Sequence, residues 1–192
     1  MMHLKDDPRA ERSACLLYQG LLDALQENDF QHVTVSDVSK HSTVGRSTFY
    51  RNFDELEDLL EWKCDRQFKE VLSSFCETNP PLKEDGEFMC YVLRYWMDPK
   101  NLEVLEIILQ IHRADLVYKA FINYGPILIT YMKKRGLYLQ DADSRYVIAI
   151  RAGYFLGIMA AWLEGGKKET PEEATAYVVR QHLDTFHARM IF

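Results

Sequence analysis

Apolar residues along the chain recur three and four positions apart, the period of a helix, and nowhere do they alternate as a strand would over a useful length. Ala14, Leu17, Leu21 and Leu25 mark one face of a first helix, which Asp7-Pro8 can cap and which is expected to end near Asn28. Val35 and Val38 on a short helix to about His41, with Val44, Phe49 and Phe53 behind them, give a second and third helix a shared seam. Leu56, Leu60, Phe68, Leu72 and Phe75 define a fourth, capped by Asp54 with Glu57 and stopped by Asn79-Pro80-Pro81. A fifth is expected over Glu84 to Met97 and a sixth from Asn101 to about Arg113. The seventh, from Asp115 to Arg135, is expected to be interrupted at Gly125-Pro126 and closed by Gly136. An eighth spans about Asp141 to Leu163, and Gly165-Gly166 ends it. A ninth opens at Thr170-Pro171-Glu172-Glu173 and runs to about His187. The pattern predicts an all-α chain of about nine helices: an N-terminal three-helix unit over residues 1–53 and a larger helical unit over 54–192.

Helices two and three have the spacing of a helix-turn-helix reader of DNA. Thr34, three residues before Asp37, caps the first of the pair. With the valines and phenylalanines turned inward, the second presents Arg46, Ser47, Thr48, Tyr50, Arg51 and Asn52, donors that suit phosphate oxygens and base edges. Arg46 stands at the helix start, the end that enters the major groove. Between His32 and Phe53 the bases Lys40, Arg46 and Arg51 face one acid, Asp37, although the chain as a whole carries a net charge of −6. Such a local reversal indicates one confined polyanion site on an otherwise acidic protein. Thr34, Ser36, Lys40 and Gly45 complete the expected DNA surface.

This segment resembles the DNA-binding domain of the tetracycline-repressor (TetR) family in Val38-Ser39, Ser42-Thr43-Val44-Gly45, Ser47, Thr48-Phe49-Tyr50 and Asn52-Phe53, followed by the acidic, Leu-rich Asp54-Glu55-Leu56-Glu57-Asp58-Leu59-Leu60. It departs from the family pattern at the turn Gly, which is Thr43, at the following Ser (Gly45), at the Gly within the second helix (Ser47), at the His before the Phe (Asn52), and at a phosphate-holding Lys, which is Leu56 between two glutamates. Losing that cation should weaken non-specific affinity and flatten its salt dependence. The resemblance implies a homodimer built by the last two long helices, two reading helices set over successive major grooves of a partial inverted repeat, and an effector that moves the fourth helix.

The eighth helix carries Ala149, Gly153 and Gly157 four apart with Ala160 nearby, a stripe that lets another helix come close, within the subunit or across a dimer. Tyr95, His112, Phe121, Tyr124, Tyr154 and Met159 are candidates for lining a pocket for a small apolar or aromatic effector. Aromatics and Met at helical spacing serve equally as core, and a partly buried histidine beside Arg113 is the simpler state for His112.

At 192 residues, 47% hydrophobic and 27% charged, the chain can bury a substantial core. No apolar run reads as long enough, or free enough of charge, to cross a membrane. The N-terminus carries acids where a secretory signal is apolar, so the cytoplasm is the expected location. Cys15, Cys64, Cys76 and Cys90 are far apart, and the six histidines form no ligand-spaced cluster with them, so no metal or cofactor is expected. No Gly-x-Ser-x-Gly elbow, phosphate-cradling loop or His-Glu-x-x-His is present, and no catalytic residue can be named. The expected function is a sequence-specific transcriptional repressor. A relative that acts through a protein partner instead of DNA, and a helical small-molecule carrier, are the alternatives.

Overall fold

The structure, a computed structural model, describes residues 7–78, 86–135 and 144–187. Among these it is all-α, with nine helices: α1 (Pro8–Leu25), α2 (Val35–Ser42), α3 (Arg46–Asn52), α4 (Leu56–Thr78), α5 (Glu87–Met97), α6 (Pro99–Gln110), α7 (Ala114–Lys134), α8 (Ser144–Glu164) and α9 (Pro171–His187). A single 3-10 turn, Phe30–His32, links α1 to α2. The Asn79-Pro80-Pro81 stop, the Glu84 and Asp141 starts and the Gly136 stop lie outside the described residues.

Local chemistry sets most of the helix starts. The Asp7 carboxylate accepts from the Arg9 N–H at 2.9 Å, and Asp98 does the same for Lys100 at 2.9 Å. Thr170 and Glu173 form a reciprocal capping box at 2.9 and 3.2 Å. Each such cap is worth about 1 kcal/mol. Because Asp98 caps and Pro99 takes the first helical position, α6 begins two residues before the expected Asn101. It also ends earlier, at Gln110, where His112 turns the chain with φ 58. At the head of α4 the Asp58 carboxylate accepts from the backbone of Asp54 (2.8 Å) and Glu55 (3.3 Å), where the spacing had pointed to Glu57.

The expected interruption of α7 does not occur. The helix continues through Gly125-Pro126, although Pro126 offers no N–H to the carbonyl four residues back. Packing against α4 and α8 holds it on both sides. A Cβ at Gly125 would come within 2.9 Å of Ile148 on α8, so the glycine serves close helix approach.

One buried cluster runs from Ala14 on α1 through Phe49, Phe53 and Leu59 to Trp96, Ile108 and Trp162, so the N-terminal helices and the larger bundle share a core. At its centre Phe68 packs on Trp96 (4.8 Å between centroids), Phe121 (4.7 Å) and Phe155 (5.5 Å). Contrary to the sequence expectation, one helix, α8, is long and apolar enough by length and composition to cross a membrane. It is apolar on every side, packs one side on α7, and leaves most of the other uncovered.

Candidate functional site

The helix-turn-helix is assembled from inside out. Val38, Phe49 and Phe53 are fully buried against Leu17 and Leu21 of α1. At Gly20 the backbone of α2 comes so near that a Cβ would stand 2.6 Å from the Val38 carbonyl and 2.7 Å from the Ser42 nitrogen. Only a residue without a side chain permits that contact. Thr34 caps α2 in a full capping box with Asp37, whose carboxylate accepts from the Thr34 hydroxyl (2.6 Å) and N–H (2.9 Å). Those bonds hold Asp37 below the usual carboxylate range. Thr43 then reverses the chain in the left-handed region, with φ 61. A β-branched residue thus occupies the position where the resembled family has its turn glycine.

Gly45 caps α3 through its carbonyl, which accepts from Thr48 (2.8 Å) and Phe49 (3.2 Å). Arg46, Ser47, Tyr50 and Arg51 are exposed along α3, Tyr50 at 56%, and Thr48 is half-buried. Arg46 donates to the Ser36 hydroxyl of α2 at 3.3 Å, so the two helices are joined across their outer face as well as their core. Ser36, Ser39, Lys40, Thr43 and Arg46 border a shallow depression at the turn. The hydroxyl of Ser39 is buried there without a hydrogen-bond partner among the described residues.

Asn52 is not on this face. It is only 4% exposed and its side-chain amide donates to the Thr48 carbonyl at 2.9 Å, tying down the end of α3. Its helical phase explains this, because it lies three residues after Phe49 and next to Phe53, the two anchors of the buried seam. Leu56 is likewise buried in the shared core.

Two polar links join α4 to α7 and the turn before it. Arg113, in the turn before α7, holds Asp115 (2.8 and 3.1 Å) and also feels Glu55 and Glu57 at the head of α4, all of which raise its pKa. Farther along α4, Asp65 is buried and accepts from Asn123 of α7 at 3.4 Å through one oxygen, while the other has no partner among the described residues. Burial pushes its carboxyl up to about 6, with Glu61 adding to the rise while Asn123 and Lys119 oppose it. Sequence reasoning had not singled out either residue.

A cavity of about 520 Å³ lies between α4, α5, α7, α8 and α9. Of the expected effector residues, Phe121 and Tyr154 line it. Tyr95, His112, Tyr124 and Met159 do not. The Tyr95 hydroxyl donates to Glu70 at 3.2 Å, Met159 is fully buried in the core, Tyr124 packs half-buried behind the wall, and His112 is exposed at the turn after α6 rather than partly buried. The lining instead comes from residues such as Val71, Met89, Val92, Ile148 and Arg151. Arg151 had a readable signal, a charge inside an otherwise apolar helix.

The small-residue stripe of α8 faces outward. Gly153 and Gly157 are exposed, and a Cβ at either would meet nothing within 4 Å among the described residues. Ala149 and Ala160 flank them half-buried. Around the glycines stand Tyr146 (69% exposed), Ile150 (58%) and, on α9, Tyr177 (59%). Among the described residues, nothing within the subunit packs on the two glycines.

Comparison with known proteins agrees with the helix-turn-helix. No family model matches the chain. It is 30% identical over 92 residues to an uncharacterized HTH-type transcriptional regulator of Bacillus subtilis, YxbF, a match covering 45% of this chain and 24% of that protein. It is 29% identical over 58 residues to the HTH-type dhaKLM operon transcriptional activator DhaS of Lactococcus lactis, covering 30% of this chain and 31% of that one. These matches span about a quarter to a third of the curated relatives. In fold the chain is similar to the fatty acid degradation regulator FadR of Bacillus halodurans, with a TM-score of 0.56 over 93% of this chain and 95% of that one at 15% identity. The chain is thus similar to helix-turn-helix transcription regulators in sequence, and to a regulator in fold along nearly its whole length.

Proposed function

We propose that the chain is a homodimeric transcriptional regulator of the TetR type that reads a partial inverted repeat of double-stranded DNA through α3 and leaves it when a small effector binds the bundle, which makes it a repressor. The observation that carries this reading is the exposed row Arg46, Ser47, Tyr50 and Arg51 on a short helix whose opposite face is fully buried and whose entry is fixed by a capping box and a left-handed turn. A rigid scaffold with guanidinium, hydroxyl and phenol groups on one outer face supplies both phosphate grips and base readers. Arg46 and Ser47, at the helix start, read base edges, and Thr48 lies between base and backbone. Lys40, Tyr50 and Arg51 hold phosphates, and the Thr34 and Ser36 end of α2 and the Gly45 turn border the backbone. Asn52 acts only by holding the end of α3.

The glycine face of α8, with Ile150 and Tyr177 beside it, is the dimer surface of this reading. Exposed apolar area of that kind marks an interaction site, and a two-fold pairing there sets two α3 helices toward successive grooves. The signalling route runs from the cavity through α7 and α4, which pack closely, to the head of α4 and the reading unit.

A second reading, a relative that binds a protein in place of DNA, draws on one observation. Buried Leu56 and exposed Glu55 stand where a phosphate-gripping cation would be expected. Two variants separate these readings and test the assigned roles. On the main reading Tyr50→Phe weakens binding to all duplexes alike, while Arg46→Ala changes which bases are preferred. The reverse pattern overturns the roles, and no DNA binding by the folded wild type favours the protein partner.

A further inference from the structure

The walls of the bundle cavity are apolar apart from two residues. Phe68, Val71, Phe88, Val92, Ile148 and Phe155 are typical of them, and among the described residues only Arg151 and Tyr154, three apart on α8, bring polar groups to the lining. Arg151 is the unusual one. It is mostly withdrawn from solvent, and burial lowers its pKa, with no acid among the described residues acting to restore it. It makes no ion pair with a carboxylate among the described residues. Its contacts are soft: one terminal nitrogen lies 3.7 Å from the Met132 sulfur, and the guanidinium carbon stands 5.6 Å from the Phe88 ring centroid. A cation–π contact and a thioether are weak substitutes for the water it has given up.

A guanidinium mostly withdrawn from solvent, with no carboxylate partner among the described residues, is costly to the fold, and an apolar side chain there would serve packing better. A cavity of about 520 Å³ is also far larger than the voids of a close-packed interior and falls in the range of small-molecule sites. The two features explain one another if the missing anion belongs to the ligand. We propose that the cavity binds an amphiphile with a single carboxylate, its hydrocarbon body held by the α4, α5 and α7 walls and its carboxylate paired with Arg151. The planar fork of the guanidinium suits two parallel bonds to a carboxylate, made stronger by the apolar surroundings. Electrostatics then decides between ligands of equal size: acids enter, alcohols bind less well, and cations are excluded. Carboxylate entry would restore a normal ionic environment for Arg151 and add contacts to Phe88 on α5 and Ile148 on α8, drawing those helices together. This assignment rests on the effector-responsive reading above and names the chemical class of the effector.

The test uses the full-length protein and three probes of the same chain length, decanoate, 1-decanol and decyltrimethylammonium, with binding followed by calorimetry. The wild type is expected to bind decanoate at least tenfold more tightly than decanol and to show no binding of the ammonium. Arg151→Met, which keeps length and flexibility without charge, should bind acid and alcohol equally and melt at a higher temperature when ligand-free. Arg151→Lys, which keeps the charge, should retain part of the acid preference and covers the case in which the Met variant fails to fold. Equal binding of acid and alcohol by the wild type, or an acid preference that persists in Arg151→Met, overturns the proposal. Release of a bound duplex by decanoate is measured in parallel. Acid-selective binding without release upholds the ligand class and overturns the effector role, so the two failures are distinguishable.

Discussion

At the scale of single residues, the turn of the helix-turn-helix carries a measurable conformational cost. Thr43 sits at φ 61, where a β-branched residue loses about 1–2 kcal/mol relative to glycine. Thr43→Gly is therefore expected to raise stability by about 1 kcal/mol, read as a higher urea midpoint at unchanged slope. A lower midpoint would show that the threonine side chain contributes something the backbone angle does not reveal. Asn52 is a different case, because its bond to the Thr48 carbonyl ends α3. Asn52→Ala should cost about 1 kcal/mol and leave the ranking of preferred bases unchanged. The sequence made the row Arg46, Ser47, Tyr50 and Arg51 readable because caps, turn and seam all fall within some twenty neighbouring positions. Asn52 has the amide chemistry of an outward donor, but its helical phase, three residues after Phe49 and next to Phe53, puts it on the buried side.

At the scale of elements, two contacts determine how α2 and α4 are held. Gly20→Ala would drive a methyl into the backbone of α2, so a loss of about 1–3 kcal/mol is expected, with DNA binding falling at the same time. Full retention of both would mean that α1 and α2 can separate freely. Asp65 makes the α4–α7 contact pH-sensitive. Its folded pKa, pushed up to about 6, lies above the unfolded value near 4, so the folded chain binds the extra proton between them. The carboxyl favours folding below that window and loses this contribution as pH rises through it. Asp65→Asn should accordingly raise stability at pH 7 by about 1–2 kcal/mol and remove that decline from the pH profile. An unchanged profile would place the titration elsewhere. The caps of α6 and α9 were visible as Asp-Pro and Thr-Pro-Glu-Glu strings, whereas the continuity of α7 through Pro126 was not. It depends on neighbours distant in sequence. The same holds for the cavity: aromatics at helical spacing look alike whether they fill a core or line a space, and Tyr95, Tyr124 and Met159 fell on the core side.

At the scale of the whole molecule, the uncovered apolar side of α8 and the α3 row belong to one design if two copies meet. Gly153→Arg introduces a large charge where no described residue stands within 4 Å, so the subunit should fold normally. It is expected to sediment as a monomer and to bind an inverted repeat at least tenfold less tightly, since both half-sites no longer count together. A variant that remains dimeric would move the interface elsewhere. DNA reading is tested most directly by selection of bound sequences from a random duplex library at near-physiological salt, using the wild-type protein and the Arg46→Ala, Tyr50→Phe double variant. DNA reading by the α3 row predicts enrichment of a partial inverted repeat by the wild type and its loss in the folded double variant. No enrichment by a folded wild-type dimer would contradict it.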